Sequence, residues 1–297
     1  MRKFKGQSAA NKIFIIFFLV ILILHAVSLM APILWTLNAS FLDNYTYIMS
    51  PFSLATKPVF NNYVSAFKNL NVEVWSNTLQ ARVRYNIINM LGISIAYALI
   101  ISFSGVFLPS LLAYPVAKYK FRGRNLLYQI NIIVMILPII GSLPSALAVR
   151  KALNMYDNFL PFVLTSSGAF GFNFLLLYGA FKGLPDSYKE AAMIDGAGHY
   201  TIMFRIFYPM AMPLMAALFM LAFIGAWNDY MTMVIWLPSW PNLAYGLYIY
   251  QSKALVAGYT MPEVLAGFVI IAIPTALLWG LGQKVITKNM VVGGLKG

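Results

Sequence analysis

The chain contains no cysteine, which excludes disulfides, thiolate metal sites and thiol nucleophiles. Histidine is nearly as scarce. His25 and His199 are the whole supply, which argues against a histidine-built metal site, and no metal site is expected. Acidic residues number 8 against 21 Lys and Arg. Charged residues of both signs make up only 10% of the 297 residues, where a soluble domain carries about 25%. What remains is 61% hydrophobic. That charge deficit is too deep for a well-packed soluble core and marks an integral membrane protein. The net charge of +13 would suit a nucleic-acid partner. Basic residues flanking membrane spans are the commoner source of such an excess, so no nucleic acid is expected.

Long uncharged runs locate the spans, since a helix needs about 20 apolar residues to cross a bilayer. Six are expected, at about 13–37, 85–117, 125–149, 158–181, 206–236 and 264–286, the fifth interrupted only by Asp229. The fold class is therefore all-α integral membrane, with a six-span domain over 13–286. Residues 1–12 and 287–297 are short flanking segments. The first run exceeds the ~7–15-residue core of a secretory signal and is expected to be a retained span. Gly105, Pro109 and Pro115 are candidate kinks in the second. Trp236, Pro238, Trp240 and Pro241 break the stretch after the fifth, which is expected to be an outer loop. Val59, Tyr63, Phe67 and Leu70 recur about one turn apart and predict a short interfacial helix outside.

Placing both termini in the cytoplasm puts two thirds of the 21 Lys and Arg inside, among them Lys118, Lys120, Arg122 and Arg124 after the second span. That bias fits the positive-inside rule. It also puts 182–209, between spans four and five, on the cytoplasmic face.

This segment is the most informative part of the chain. It holds Glu190-Ala191-Ala192, then Asp195-Gly196-Ala197-Gly198, then Ile206 and Pro209. Pro185 and Asp186 suit a helix start, and Ser187–Met193 is a good helix former. Gly196 and Gly198 suit a turn or left-handed helix end. A second amphipathic helix is expected from about His199 to Phe207, with Pro209 and Pro213 marking entry to the fifth span.

The spacing resembles the EAA loop of ABC-importer permeases. Several further stretches are similar to the carbohydrate branch, in particular the second permease subunit of the maltose type. They are the Ser110–Leu127 stretch SLLAYPVAKYKFRGRNLL, EAAMIDGAG at 190–198, Trp227-Asn228-Asp229-Tyr230, and the closing GGLKG. Tyr208 departs from the pattern, which usually has Leu there.

The resemblance implies a transport subunit of a prokaryotic cell membrane, without ATPase activity or a cofactor of its own. Two ATPase subunits would carry ATP and Mg. A homologous second permease, an extracellular sugar-binding protein, an oligosaccharide and membrane lipid would be the other partners. Glu190, Ala191, Ala192, Asp195, Gly196, Ala197, Gly198 and Pro209 would couple to the ATPase. Gly293, Gly294, Lys296 and Gly297 would reach it from the tail. Trp227, Asn228, Asp229 and Tyr230 would lie on the translocation path, although Asp229 equally suits a charge paired within the bundle.

Other classes fit less well. The chain has no GxxxxGK[ST] phosphate loop. An ion-coupled secondary transporter would need several intramembrane carboxylates or paired broken helices, and Asp229 is the single acid within a run. A membrane enzyme would need a polar cluster beside the spans. An importer of a non-sugar solute stays open.

Overall fold

The computed structural model describes residues 9–76, 80–137 and 141–290. Its elements run α1 (Ala9–Ala39), α2 (Asn44–Met49), α3 (Asn61–Asn69), β1 (Val72–Ser76), β2 (Ala81–Tyr85), α4 (Ile87–Lys118) and α5 (Arg124–Ile136). Then come α6 (Leu143–Ala152), α7 (Phe159–Ser166), α8 (Phe172–Gly183), α9 (Ser187–Ile194), α10 (His199–Ile202) and a π-helical turn (Met203–Phe207). The last four are α11 (Tyr208–Trp227), α12 (Met231–Ile235), α13 (Leu243–Ala257) and α14 (Met261–Met290).

Contacts divide the chain into two units, 1–70 with 250–270, and 71–249 with 271–297. In the first, α1 is apolar all round and exposes its Ile, Leu and Phe side chains, as a membrane-facing helix does. Its end is organised by polar contacts. Asn62 donates to the carbonyls of Ser40 and Leu42, and Ser40 Oγ lies 2.6 Å from Tyr63 OH. The helix read from the Val59–Leu70 spacing is α3. Gly267 packs on Tyr250, where an added Cβ would come within 3.0 Å of the ring.

In the second unit, β1 and β2 form an antiparallel hairpin with Glu73 opposite Arg84 and Trp75 opposite Arg82. This corrects the all-α expectation. VEVWS and ARVRY alternate with period two, burying Val72, Val74 and Ser76, and that period defines a strand. It also moves the start of the second expected span from Tyr85 to Ile87, where Asn86 and Asn89 form a reciprocal capping box.

The unit's core gathers side chains from α4, α8, α9, α10 and α11, including Tyr114, Phe174, Phe181, Ile202 and Phe207. α4 runs through Pro109, whose missing N–H orphans the carbonyl of Gly105. Asn173 of α8 supplies the replacement donor at 2.8 Å.

Among the described residues, three helices are long and apolar enough to cross a membrane: Ile13–Ala39, Ile87–Lys118 and His199–Trp227. Of the other expected spans, 264–286 lies within the single helix α14, and two differ in form. Run 125–149 comprises α5 and α6; Leu137 leaves helical conformation just before Pro138, as the steric restriction ahead of proline favours. Run 158–181 comprises α7 and α8, separated at 167–171, where Gly171 has φ +131°. The break is pinned on both sides. Ser167 Oγ accepts from Ser104 Oγ at 2.8 Å, and the Gly171 N–H donates to Asn131. The stretch expected as an outer loop contains α13.

Candidate coupling site

The segment 182–209 folds into a short helix, a tight reversal and the start of a long helix. α9 ends in a Schellman motif. The Ala197 N–H reaches the Ala192 carbonyl at 2.8 Å, and the Gly196 N–H reaches that of Met193 at 3.1 Å. Gly196 sits at φ +78°, the left-handed conformation this ending requires. Gly198 has φ −72° and ψ 160°, so the left-handed role expected of both glycines belongs to Gly196 alone.

The loop is fastened to the end of α4. Lys118 is buried, with 2% of its side chain exposed, and donates to the Leu184 carbonyl and to Asp186 Oδ1 at 2.7 Å. Its ammonium lies 5.0 Å from the centre of the Phe207 ring. Lys189 of α9 donates to the Lys118 carbonyl at 3.0 Å, and Tyr119 OH meets His199 Nδ1 at 3.1 Å. Asp186 therefore serves as the ion-pair partner of Lys118 and makes no side-chain cap for α9. The bond from Lys118 holds its carboxyl below the ordinary Asp value.

The fastening fixes which residues face out. Ala192 turns into the core. Glu190, Ala191, Met193, Asp195 and Gly196 are exposed and Ala197 is half-buried. Ile194 is 87% exposed and Tyr200 80%. Glu190 and Ile194, four apart, share one face of α9. Ile194 thus stands out on the face that carries the Glu190 carboxylate, and Tyr200 stands out from the second helix of the same anchored loop.

The second helix of the loop enters α11 without a break. α10 passes through the π turn, in which the Tyr208 N–H bonds to the Met203 carbonyl five residues back. Pro209 explains the wider turn, because it has no N–H and its ring would collide with the carbonyl four residues earlier. The departure at Tyr208 has a physical reason too. Its ring packs in the core while its OH lies 2.7 Å from Ser110 Oγ of α4.

The residues expected on the translocation path divide. Asp229 is engaged within the bundle. Oδ2 accepts from Tyr97 OH at 2.9 Å, Oδ1 from the Thr232 N–H at 3.0 Å, and its carbonyl from Asn242. Tyr230 stacks on Tyr248 at 4.9 Å. Trp227 is buried, and its indole N–H has no partner among the described residues. Asn228 is exposed. Gly293, Gly294, Lys296 and Gly297 lie outside the described residues.

Lys118, Tyr119, Ile194 and Tyr200 were not singled out from the sequence as site residues. Lys118 and Tyr119 sit in the quoted stretch after the second span, but only the fold shows that this stretch grips the loop.

The family described as "binding-protein-dependent transport system inner membrane component" matches residues 105–290, from the middle of α4 through the loop to the end of α14. This chain belongs to that family. Relatives of this family member include a diacetylchitobiose uptake system permease protein of Streptomyces coelicolor, 28% identical over 282 residues, covering 92% of this chain and 86% of the relative. A galactooligosaccharides transport system permease protein of Bacillus subtilis is 26% identical over 286 residues, covering 95% and 96%. The fold matches a chain in the crystal structure of a bacterial ABC transporter involved in the import of the acidic polysaccharide alginate. That match has a TM-score of 0.74 at 23% identity and covers 94% of this chain and 98% of that one.

Proposed function

We infer that this chain is the membrane permease of an ABC importer and that its cargo is an oligosaccharide. The observation that carries the coupling role is the loop geometry. Ile194, on the face of Glu190, and Tyr200 stand exposed on a reversal that Lys118 ties to the main core. A knob of this kind can transmit a push from a cytoplasmic partner into α4 and α11, because a packed core shifts as a unit. The partner in this reading is an ATPase subunit that holds the ATP and Mg. Family membership supports it, and the names of the relatives support the sugar class.

In this reading the chain crosses the membrane six times, with both termini in the cytoplasm. α5 with α6, and α7 with α8, each make one crossing as broken helices. A homologous second permease completes the pore, and a binding protein outside delivers the sugar. Residues 293–297 contact the ATPase pair. Non-helical backbone at membrane depth is tolerated where protein buries it or a water-filled cavity meets it. The break at 167–171, with Ser166 and Gly168 exposed, is therefore assigned to the solute path or the second permease.

The test is co-purification of the tagged importer with Glu190→Ala and Ile194→Asp beside the unaltered chain, together with ATP-dependent sugar uptake in proteoliposomes. The reading expects an ATPase to accompany the unaltered chain and to be lost or uncoupled with Ile194→Asp. Uptake driven by an ion gradient with no ATPase bound would overturn it.

A further inference from the structure

The turn between α4 and α5 carries two groups of residues. Lys118 and Tyr119 grip the coupling loop. Lys120, Arg122 and Arg124, within five positions, are all at least partly exposed. None of the three makes an ion pair among the described residues. Asp186 is near enough to feel Lys120 but is already bonded to Lys118. Arg124 spends one N–H on the Tyr119 carbonyl at 3.4 Å. A guanidinium has five N–H donors, so Arg124 keeps most of its capacity.

Lys120 and Arg124 line an open pocket of about 530 Å³ together with Phe121, Gly123, Asn125 and Leu126, and Arg122 falls between them in the turn. The pocket is amphipathic. Phe121 and Leu126 are exposed at its edge, and the exposed apolar side chains continue along α5 through Ile133, Val134 and Ile136. Unpaired cations next to a long membrane helix, opening onto an apolar helix face, match an anionic phospholipid in both of its parts. The phosphodiester would meet the guanidinium and ammonium groups, and the acyl chains would lie along α5.

We propose that the α4–α5 turn is a binding site for the headgroup of an anionic phospholipid. Because the same turn holds Asp186, Leu184 and His199, its occupancy steadies the coupling loop. The importer then couples ATP hydrolysis to transport better in anionic membranes. The proposal rests on the membrane-permease reading above.

The test uses the whole importer in nanodiscs of phosphatidylcholine, with or without phosphatidylglycerol. Native mass spectrometry counts retained lipid, and ATP hydrolysis stimulated by the binding protein reports coupling. The unaltered complex should retain phosphatidylglycerol over phosphatidylcholine. Each of Lys120→Gln, Arg122→Gln and Arg124→Gln should weaken that retention about fivefold, the size expected per basic residue at a membrane surface. Arg124→Lys keeps the charge and should retain the lipid, which separates charge from folding.

Lipid retention equal to wild type in the triple Gln variant would overturn the proposal. So would release of bound phosphatidylglycerol by inorganic phosphate alone, which would mark a site for free anions. Loss of the ATPase from the triple variant in pure phosphatidylcholine would assign the surface to the motor and overturn it as well. The lipid count is independent of transport, so its failure is distinguishable from failure of the permease reading.

Discussion

The ammonium of Lys118, the last residue of α4, lies 2.7 Å from the carboxylate of Asp186, the residue that precedes α9. The pair is lopsided. Lys118 is 2% exposed and Asp186 59%, so the buried cation depends on a partner standing mostly in solvent. Neutralising that partner leaves the buried ammonium with neutral acceptors, the Leu184 carbonyl among them. Asp186→Asn keeps an amide oxygen acceptor but removes the charge, and should destabilise the fold by about 1 kcal/mol, near the low end for a charged hydrogen bond because the carboxylate is solvent-screened. The sign with pH follows from the lowered pKa of Asp186. The carboxylate contributes its full stability above the ordinary Asp value and loses it as pH falls through the lower folded-state value. Thermal unfolding of wild type and Asp186→Asn should differ at neutral pH and converge in acid. A constant difference across that range would refute the assignment.

The two loop glycines make a paired prediction. Gly196→Ala places a side chain at φ +78°, where no atom would clash but the left-handed backbone itself costs about 1–2 kcal/mol. Gly198→Ala asks nothing unusual of the backbone and should stay within about 0.5 kcal/mol of wild type. Coupled ATP hydrolysis and melting temperature should fall for the first variant and hold for the second. Equal losses at both positions would contradict the Schellman geometry.

At the exposed face, truncation should cost binding and spare the fold. Ile194→Ala and Tyr200→Ala leave the core intact, because both side chains point outward. Central apolar anchors of protein interfaces commonly lose about 2 kcal/mol or more on truncation, roughly thirtyfold in affinity. Titration of the ATPase onto the reconstituted permease measures this directly. Unchanged affinity with both residues truncated would move the docking face elsewhere.

Asn173 and Pro109 should be energetically coupled. Asn173→Leu leaves the Gly105 carbonyl without its donor and should cost about 1–3 kcal/mol. Pro109→Ala restores an N–H to the helix and should recover much of that loss. A double-mutant cycle of unfolding midpoints tests it, and strict additivity would count against the replacement bond.

The helix–turn–helix at 182–209 was legible from sequence because its signals are local. The spacing from Glu190 to Pro209 marked the segment, and a glycine after an apolar helical stretch marks a helix end. The hairpin at 72–85 was legible as well, through its alternation, but a search for uncharged runs passes over a period-two pattern. What stayed hidden depends on contacts distant in sequence. Lys118 reads as one more basic residue after a span, and only the packing of α4 against the α8–α9 link shows that it is buried. The break at 167–171 was masked because hydropathy counts apolar residues and does not register that Ser167 and Gly171 are held by α4 and α5. Asp229 was open to two readings, and sequence could not show that its carboxylate accepts from Tyr97 of α4 and from the Thr232 N–H.

The π turn at Met203–Phe207 sets an angular phase. It accommodates one residue more than an α-helical turn would between α10 and α11, and one residue is worth about 100° of rotation about the helix axis. The direction in which Tyr200 points is therefore set by Pro209, several residues away. Deleting a single residue from 203–207 would swing Tyr200 about a quarter turn around the helix axis. In this chain the exposed face of the 182–209 loop is specified by a count of residues as firmly as by their chemistry.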